Sequence, residues 1–117
     1  MYLSDSPSES PAGTTPIILE GIVRQRCITA TYNRAAIVVA PHVLYTRHGE
    51  LYVDAVTVSR NMVMAREVKL GTYKLSGLSA VRLTGREFEA SDLFDIEAEK
   101  YAGAVLMAVE PGLVPAE

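Results

Sequence analysis

The spacing of apolar residues changes abruptly after residue 26, and this change constrains the fold more than any other feature of the chain. Residues 17–26 hold apolar side chains at the i, i+1, i+4 and i+5 positions of a single helical stripe. Immediately afterwards Ile28, Ala30 and Tyr32 alternate with polar residues, which is the pattern of a strand with one buried face. The sequence therefore predicts one helix followed by a β-rich domain.

The helix is predicted over about residues 16–26. Thr15 offers a side-chain oxygen at the N-cap, and Pro16 suits the first helical position because its missing N–H would have no partner there. Residues 1–15 are rich in Ser, Pro and Gly and have little to bury, so we expect a disordered N-terminal tail.

Short extended segments follow the helix. A β-branched run at residues 37–39 is predicted to end at Pro41, which has no N–H to give to a sheet. Segments 43–47 and 51–58 flank His48–Gly49 and are predicted to form a hairpin through that turn. Several short strands with short turns are typical of a small barrel or sandwich. Two further strands are predicted near residues 67–75 and 78–84.

The C-terminal region allows more than one interpretation. Ser91–Asp92 could cap a short acidic helix that carries Leu93, Phe94 and Ile96. Ala104–Val109 is an apolar run that fits either a buried strand or a helix. The sequence leaves the fold of this region open.

The composition fits one small globular domain. The chain has 117 residues, of which 49% are apolar and 21% charged, and no apolar stretch approaches the roughly 20 residues that a membrane-spanning helix needs. We find no secretory-signal pattern at the N-terminus, and the single Cys27 cannot form an intramolecular disulfide. We therefore expect a cytoplasmic protein with no membrane partner.

Charge is distributed unevenly along the chain. Residues 17–86 hold ten basic and four acidic residues, a net charge of +6, whereas residues 87–117 carry −7 and the whole chain −3. A basic body next to an acidic end indicates an anionic partner, although an unevenly charged solvated surface explains the same numbers. A further hypothesis is that the acidic segment 87–117 covers the basic body and regulates access to it.

The patterns typical of catalysis and metal binding are weak or absent. Cys27 with His42 or His48 is the only thiol–imidazole combination, and the sequence does not place them together. Asp54 could be a general base or a solvent-facing or arginine-paired carboxylate. His42, His48, Glu50 and Asp54 cluster in sequence but match no chelating spacing. We therefore expect no catalytic site, no metal site and no cofactor.

Arginines and tyrosines are interleaved across the predicted strands. Tyr32 is followed by Arg34, Tyr45 by Arg47, and Tyr52 lies on the next strand. Guanidinium groups bind phosphate through forked donors, and aromatic faces stack on bases. These side chains could converge on one face of a small barrel and bind an anion, or the tyrosines could pack in the core.

The order of features over residues 17–78 resembles the WYL domain of bacterial regulators. That family has an apolar helix, a strand with a tyrosine, a strand ending in proline, a hairpin carrying a Trp-Tyr-Leu motif, and a later basic strand. Tyr32 and Pro41 match in this order, Tyr52 matches the tyrosine of the motif although the tryptophan is absent, and residues 73–78 resemble the later stretch.

Periodicity and resemblance together predict a mainly β (α+β) fold, and the resemblance specifies an SH3/Sm-like β-barrel of about five strands preceded by one N-terminal helix. The WYL-like domain would span residues 16–90 and be followed by an acidic extension at 91–117. The resemblance implies a non-catalytic domain that binds a negatively charged ligand, a nucleotide or single-stranded nucleic acid, and acts in transcription regulation. The candidate ligand-binding residues are Tyr32, Arg34, His42, Tyr45, Arg47, Tyr52 and Lys74.

Two departures from the family pattern leave an alternative open. Residues 37–39 lack the basic residue that the family has shortly before the proline, and Ser76 and Gly77 stand where the family has Asp and Arg. The alternative is a structural or protein-interaction module of the same fold that has lost ligand binding and associates with a protein partner or a second copy.

Overall fold

The computed structural model describes residues 11–110. These residues form one α-helix and seven strands, and all the strands pair in a single antiparallel sheet. The elements are α1 (Pro11–Arg24), β1 (Arg26–Tyr32), β2 (Ala35–Arg47), β3 (Glu50–Arg60), β4 (Val63–Met64), β5 (Leu70–Lys74), β6 (Leu78–Glu87) and β7 (Val105–Ala108).

The strands pair in the order β4-β3-β2-β1-β6, with β5 also paired to β3 and β7 also paired to β2. The sheet curls into a half-barrel, and the prediction of a mainly β fold with one N-terminal helix is confirmed. Two of the seven strands lie outside the predicted set. The two-residue β4 falls in a segment predicted as loop, and β7 shows that the apolar run at 104–109 contains a strand.

Helix α1 begins at Pro11, earlier than predicted, so Pro16 lies inside the helix and Thr15 is not its N-cap. Pro16 cannot donate one helical hydrogen bond, and burial of the apolar stripe against the sheet offsets that loss. The helix ends just before Gln25, whose φ of 53° is the left-handed conformation that commonly terminates helices. The predicted disordered tail falls partly in this helix, and its remainder, residues 1–10, lies outside the described residues.

The prediction that a strand ends at Pro41 is wrong, because β2 continues through this residue. Pro41 is opposite Ala55 and Val43 is opposite Asp54, so His42 is the extra residue of a β-bulge. On its other edge β2 pairs with β1 before this point and with β7 after it. Pro41 lies where that edge changes partners, and its missing N–H therefore interrupts no ladder.

The two faces of the sheet are covered differently. Helix α1 packs against one face, the α1 face, where Leu44 belongs to the main apolar core. Its neighbours Val43 and Tyr45 point to the opposite face, here called the outer face, and pack with Tyr101. Fully buried members of the main core include Ile18, Ile22, Ile28, Ile37, Val39, Val53 and Leu75.

Three hairpins turn on two residues that both have positive φ: Asn33–Arg34, His48–Gly49 and Asn61–Met62. This turn geometry matches the twist of the strands and favours glycine at its second residue. The predicted hairpin at His48–Gly49 is present and follows that preference. The other two turns place Arg34 and Met62 in the left-handed region, which costs of order 1 kcal/mol for a residue with a side chain.

Candidate functional site

The outer face has a covered half and an open half. In the covered half, residues 88–104, here called the C-terminal segment, lie over the end of β2 and the facing part of β3. The short acidic helix that Ser91–Asp92 could cap is not formed, and residues 92–93 and 96–97 form turns instead. The open half is a groove of about 360 Å³ between the two turns that carry Arg34 and Met62. Its lining includes Thr29, Thr31, Ala36, Val38, Ser59, Met62 and Ala80.

Both halves belong to one continuous surface. Ala40 of β2 is opposite Val56, and Val43 is opposite Asp54. Between these two pairs the extra residue is on β2, so Val56 and Asp54 remain two apart along a regular stretch of β3. Residues in register share a face, and residues two apart in a strand share a face. The face that carries Val38 in the groove is therefore the face that carries Val43 under the C-terminal segment.

His42 connects the bulge of β2 to the C-terminal segment. Its side chain is 1% exposed, its Nδ1 lies 2.8 Å from the Ala40 carbonyl oxygen, and its Nε2 accepts a hydrogen bond from the Ser91 N–H at 2.9 Å. Nδ1 therefore carries the proton and the ring is neutral. The ring also packs against Phe88 and Phe94, at centroid distances of 5.1 and 5.8 Å.

Asp54 is the second anchor of the C-terminal segment. Its carboxylate is 1% exposed and accepts four hydrogen bonds. Oδ1 accepts from the Tyr45 hydroxyl at 2.7 Å and from the Thr72 hydroxyl at 2.8 Å. Oδ2 accepts from the Lys100 ammonium at 2.9 Å and from the Tyr101 hydroxyl at 2.5 Å. Lys100 and Tyr101 thus fix the segment to the sheet through one buried charge.

These hydrogen bonds set the protonation states of the cluster. Burial alone raises the pKa of the Asp54 carboxyl, but its four donors outweigh burial and hold that pKa below its usual value. Burial, followed by the bond to Asp54, raises the pKa of Tyr101 and of Tyr45. Tyrosines that retain their protons and a carboxylate that has lost its own are poorly suited to proton exchange with a substrate. The cluster is arranged as a structural anchor.

The seven sequence-predicted ligand residues do not form one surface. His42 and Tyr45 are fully buried and bind the C-terminal segment. Arg34 and Arg47 are exposed at opposite ends of β2, which has 13 residues and at about 3.3 Å each spans up to roughly 40 Å. The hypothesis that the arginines converge with the tyrosines on one face is therefore wrong.

The remaining predicted residues divide between the two faces. Tyr52 stacks on Tyr45 under the C-terminal segment, at a centroid distance of 6.0 Å. Lys74, in register with Tyr52, forms a 2.8 Å ion pair with Glu50. Tyr32 packs against the α1-face core and meets the Tyr73 ring edge-on. This set supplies one exposed guanidinium at each end of β2, neither of them in an ion pair within residues 11–110, rather than a shared pocket.

Two exposed arginines lie beside the groove of the open half. Arg34 belongs to the turn at one end of the groove, and Arg82 is opposite Thr29 of its lining. Arg60 is also exposed, but it is opposite Ile37 of the main core and therefore lies on the α1 face. Among residues 11–110, every ion pair involves another cation, namely Arg24, Lys69, Lys74 or Lys100. The groove therefore carries positive charge that no acid of the described chain neutralises.

Several residues at the groove also have strained backbone conformations. Arg34 and Met62 have φ of 65° and 69°, and Ala80, which lines the groove at an irregularity in the β1–β6 pairing, has φ of 52°. Glycine is the usual residue at such positions. The sequence predicted Arg34 as a ligand residue but missed Met62 and Ala80, because a left-handed alanine or methionine has no sequence signal.

The hypothesis that the acidic C-terminus covers the basic body is only partly met in the described residues. The C-terminal segment covers Tyr45 and Asp54 but leaves Arg34, Arg60 and Arg82 exposed. No cluster of three or more His, Cys, Asp or Glu that could hold a metal ion is found in residues 11–110. No helix in the same range has the length and apolarity to cross a membrane.

Comparison with known proteins does not identify the chain. No protein-family model matches it, and no curated protein or solved structure matches it either. The resemblance to the WYL domain therefore stays a prediction from the order of sequence features.

Proposed function

We propose that this chain is a non-catalytic ligand-binding domain of the WYL type, and that its open half binds an anionic ligand, a nucleotide or a short single-stranded nucleic acid. The observation that carries the proposal is the groove of about 360 Å³ with Arg34 and Arg82 beside it, which ion-pair with no acid among the described residues. Guanidinium groups bind phosphate through two parallel hydrogen bonds, and a floor of small apolar side chains accepts the face of a base.

Local strain supports a binding role for this half. Arg34, Met62 and Ala80 all occupy backbone conformations in which glycine would be less strained. Strain of this kind persists where the side chain serves a contact, and clusters at ligand sites. The turn at His48–Gly49, which is remote from the groove along β2, carries glycine instead.

The proposal reassigns the ligand-binding role among the sequence-predicted residues. Arg34 keeps it, and Arg82 joins it. His42, Tyr45 and Tyr52 contribute to the fold by holding the C-terminal segment. A role in transcription regulation follows from the family resemblance alone.

The test is a titration with a short labelled single-stranded oligonucleotide at low salt, followed by fluorescence anisotropy, with unlabelled nucleotides as competitors. The double change Arg34→Ala and Arg82→Ala should weaken binding at least about tenfold, which corresponds to about 1.4 kcal/mol. Arg47→Ala is the matched control, because it removes an exposed arginine from the other end of β2. Affinity should fall as salt rises, since phosphate contacts release counterions.

Two results would contradict the proposal: binding that salt leaves unchanged, or an equal loss of affinity with Arg47→Ala. Absence of any binding would favour the alternative of a structural or protein-interaction module. A specific observation favours that alternative as a second candidate. Met62, Val63 and Met64 are exposed beside the groove, Met62 by 92%, and such residues are typical of contact surfaces between proteins.

A further inference from the structure

An acidic stretch within the C-terminal segment projects from the covered half. Residues 89–99, here called the acidic stretch, contain five carboxylates and no basic residue, and all five are exposed. Between them Leu93 and Ile96 are exposed by 51% and 43%, while Phe94 turns inward to pack on His42. The stretch thus presents two large apolar side chains within a field of negative charge.

The open half of the same molecule has the complementary character. Its floor is formed by small residues such as Thr31, Ala36 and Val38, and the arginines at 34 and 82 lie at its margin. Apolar groups surrounded by charge of one sign fit a pocket surrounded by charge of the other sign, because burial supplies affinity and the charges select the partner.

The placement of the two surfaces favours a symmetric contact. Phe94 and Ala98 of the acidic stretch pack on the outer face with Val43 and Tyr45, and the groove lies on the other half of that face. Ala90 and Phe94 also reach the main core. The C-terminal segment thus raises one half of β2 by a layer of chain while the other half stays bare. When two outer faces meet about a two-fold axis, each raised half meets the bare half of the other copy. A two-fold arrangement uses the same pair of surfaces twice and closes as a dimer.

We propose that the open half receives a second copy of this chain, with the acidic stretch of each copy seated in the groove of the other. Leu93 and Ile96 enter the groove, and the neighbouring carboxylates face the arginines on its margin. The proposal shares its groove with the anionic ligand proposed above but does not depend on it. A ligand that occupies the groove would compete with the second copy.

The test is sedimentation equilibrium of the full chain over a range of protein concentrations, without nucleotide. Wild type should form a dimer whose dissociation constant rises with salt. Ala36→Glu, which adds bulk and negative charge to the groove at an exposed position, should weaken the dimer at least tenfold. The double change Leu93→Asp and Ile96→Asp should do the same, while Leu106→Asp, a control at a leucine of similar exposure (54%) on β7, should change it less than twofold.

Mixing the two disrupted variants gives a sharper result than either alone. Each variant by itself retains no intact groove–stretch pair, but a mixed dimer retains one: the stretch of the Ala36→Glu chain in the groove of the Leu93→Asp, Ile96→Asp chain. The mixture should therefore contain dimers that neither variant forms alone. Far-UV circular dichroism confirms that each variant is folded.

Three outcomes would overturn the proposal: a wild-type chain that stays monomeric at all concentrations, a dimer as sensitive to Leu106→Asp as to the stretch variants, or a mixture without added dimer. These outcomes leave the nucleotide titration unaffected, because the stretch variants keep the groove intact. Absence of oligonucleotide binding by the Leu93→Asp, Ile96→Asp variant, whose groove no second copy occupies, would in turn contradict only the proposed ligand.

Discussion

The two halves of the outer face share one sheet and one register, yet their polar side chains differ in the partners that the chain provides for them. In the covered half, the buried Asp54 carboxylate and the buried His42 ring are each matched by partners from the C-terminal segment. In the open half, Arg34 and Arg82 lie beside a bare floor and ion-pair with no acid among the described residues. The first half is completed by the chain itself, and we propose that the second contacts another molecule.

The hairpin turns show the same contrast. The turn at the covered end of β2 has Gly49 where positive φ is needed, whereas the turns beside the groove have Arg34 and Met62. Natural sequences are locally consistent with their fold except where function requires otherwise. We therefore expect the strained positions to contribute more to contacts with another molecule than to stability. The anchors of the covered half should contribute mainly to stability.

Replacing Asp54 by alanine should produce the largest effect. The hydroxyls of Tyr45 and Tyr101 would lose their acceptor, and Lys100 would lose its counter-charge. Removing one partner of a buried hydrogen-bonded ion pair is strongly destabilising, so we expect a loss of about 3 kcal/mol in the free energy of unfolding. Urea unfolding followed by tyrosine fluorescence measures it, since the chain has no tryptophan.

Thr31→Ala in the open half is the matched control, because it truncates a residue of the same face in the groove. Its effect should stay within about 0.5 kcal/mol. Comparable losses from Asp54→Ala and Thr31→Ala would mean that the two halves do not differ in their contribution to stability.

The fold class could be predicted because the period of apolar residues is a local property. The helix and the hairpin at His48–Gly49 follow from stretches of a few residues. The prediction failed where distant contacts decide the outcome. Pro16 is accommodated inside α1 because the helix is buried on the sheet, and Pro41 lies inside β2 because a bulge and a change of edge partner remove the need for its N–H.

The covered half could not be predicted, because its contacts join residues that are far apart in the chain. Asp54 meets Lys100 at a separation of 46 positions, and His42 meets Ser91 at 49. The pattern of a tyrosine two residues before an arginine is the same for a ligand site and for a strand under a covering segment. Tyr45 belongs to the second case, and for Arg34 we propose the first.

Lowering the pH should weaken the covered half selectively through His42. Burial holds the pKa of this ring below its ordinary value. The unfolded chain therefore takes up the proton first, so the stability is present above the unfolded pKa of about 6.5 and is lost as pH falls toward the folded pKa. A protonated ring also loses its acceptor for the Ser91 N–H. Asp54 contributes to acid unfolding only at lower pH, because its stabilising effect is lost as pH falls from the ordinary carboxyl range, where the unfolded chain takes up the proton, toward the lowered pKa of the folded state.

The measurement is the free energy of unfolding of wild type, His42→Gln and His48→Gln between about pH 7.5 and 5. His42→Gln should be less stable at neutral pH, by about 1–2 kcal/mol for its lost packing and hydrogen bonds, and should show a shallower decline on acidification. His48→Gln, the only other histidine, should follow wild type. A wild-type slope for His42→Gln would remove His42 as the pH-sensitive anchor.

The smallest expected effects concern the turns and bear most directly on the contrast between the two halves. Met62→Gly and Arg34→Gly should each raise the free energy of unfolding by about 0.5 kcal/mol, because glycine takes positive φ without strain. Gly49→Ala should lower it by about 1 kcal/mol through backbone strain alone, since no atom lies near the added methyl group. Urea unfolding compares the three, and Arg34→Gly should also weaken anion binding. A gain in stability paired with a loss of binding would show that the open half gives up stability for contact; destabilisation by both glycine variants would instead assign these side chains to the fold.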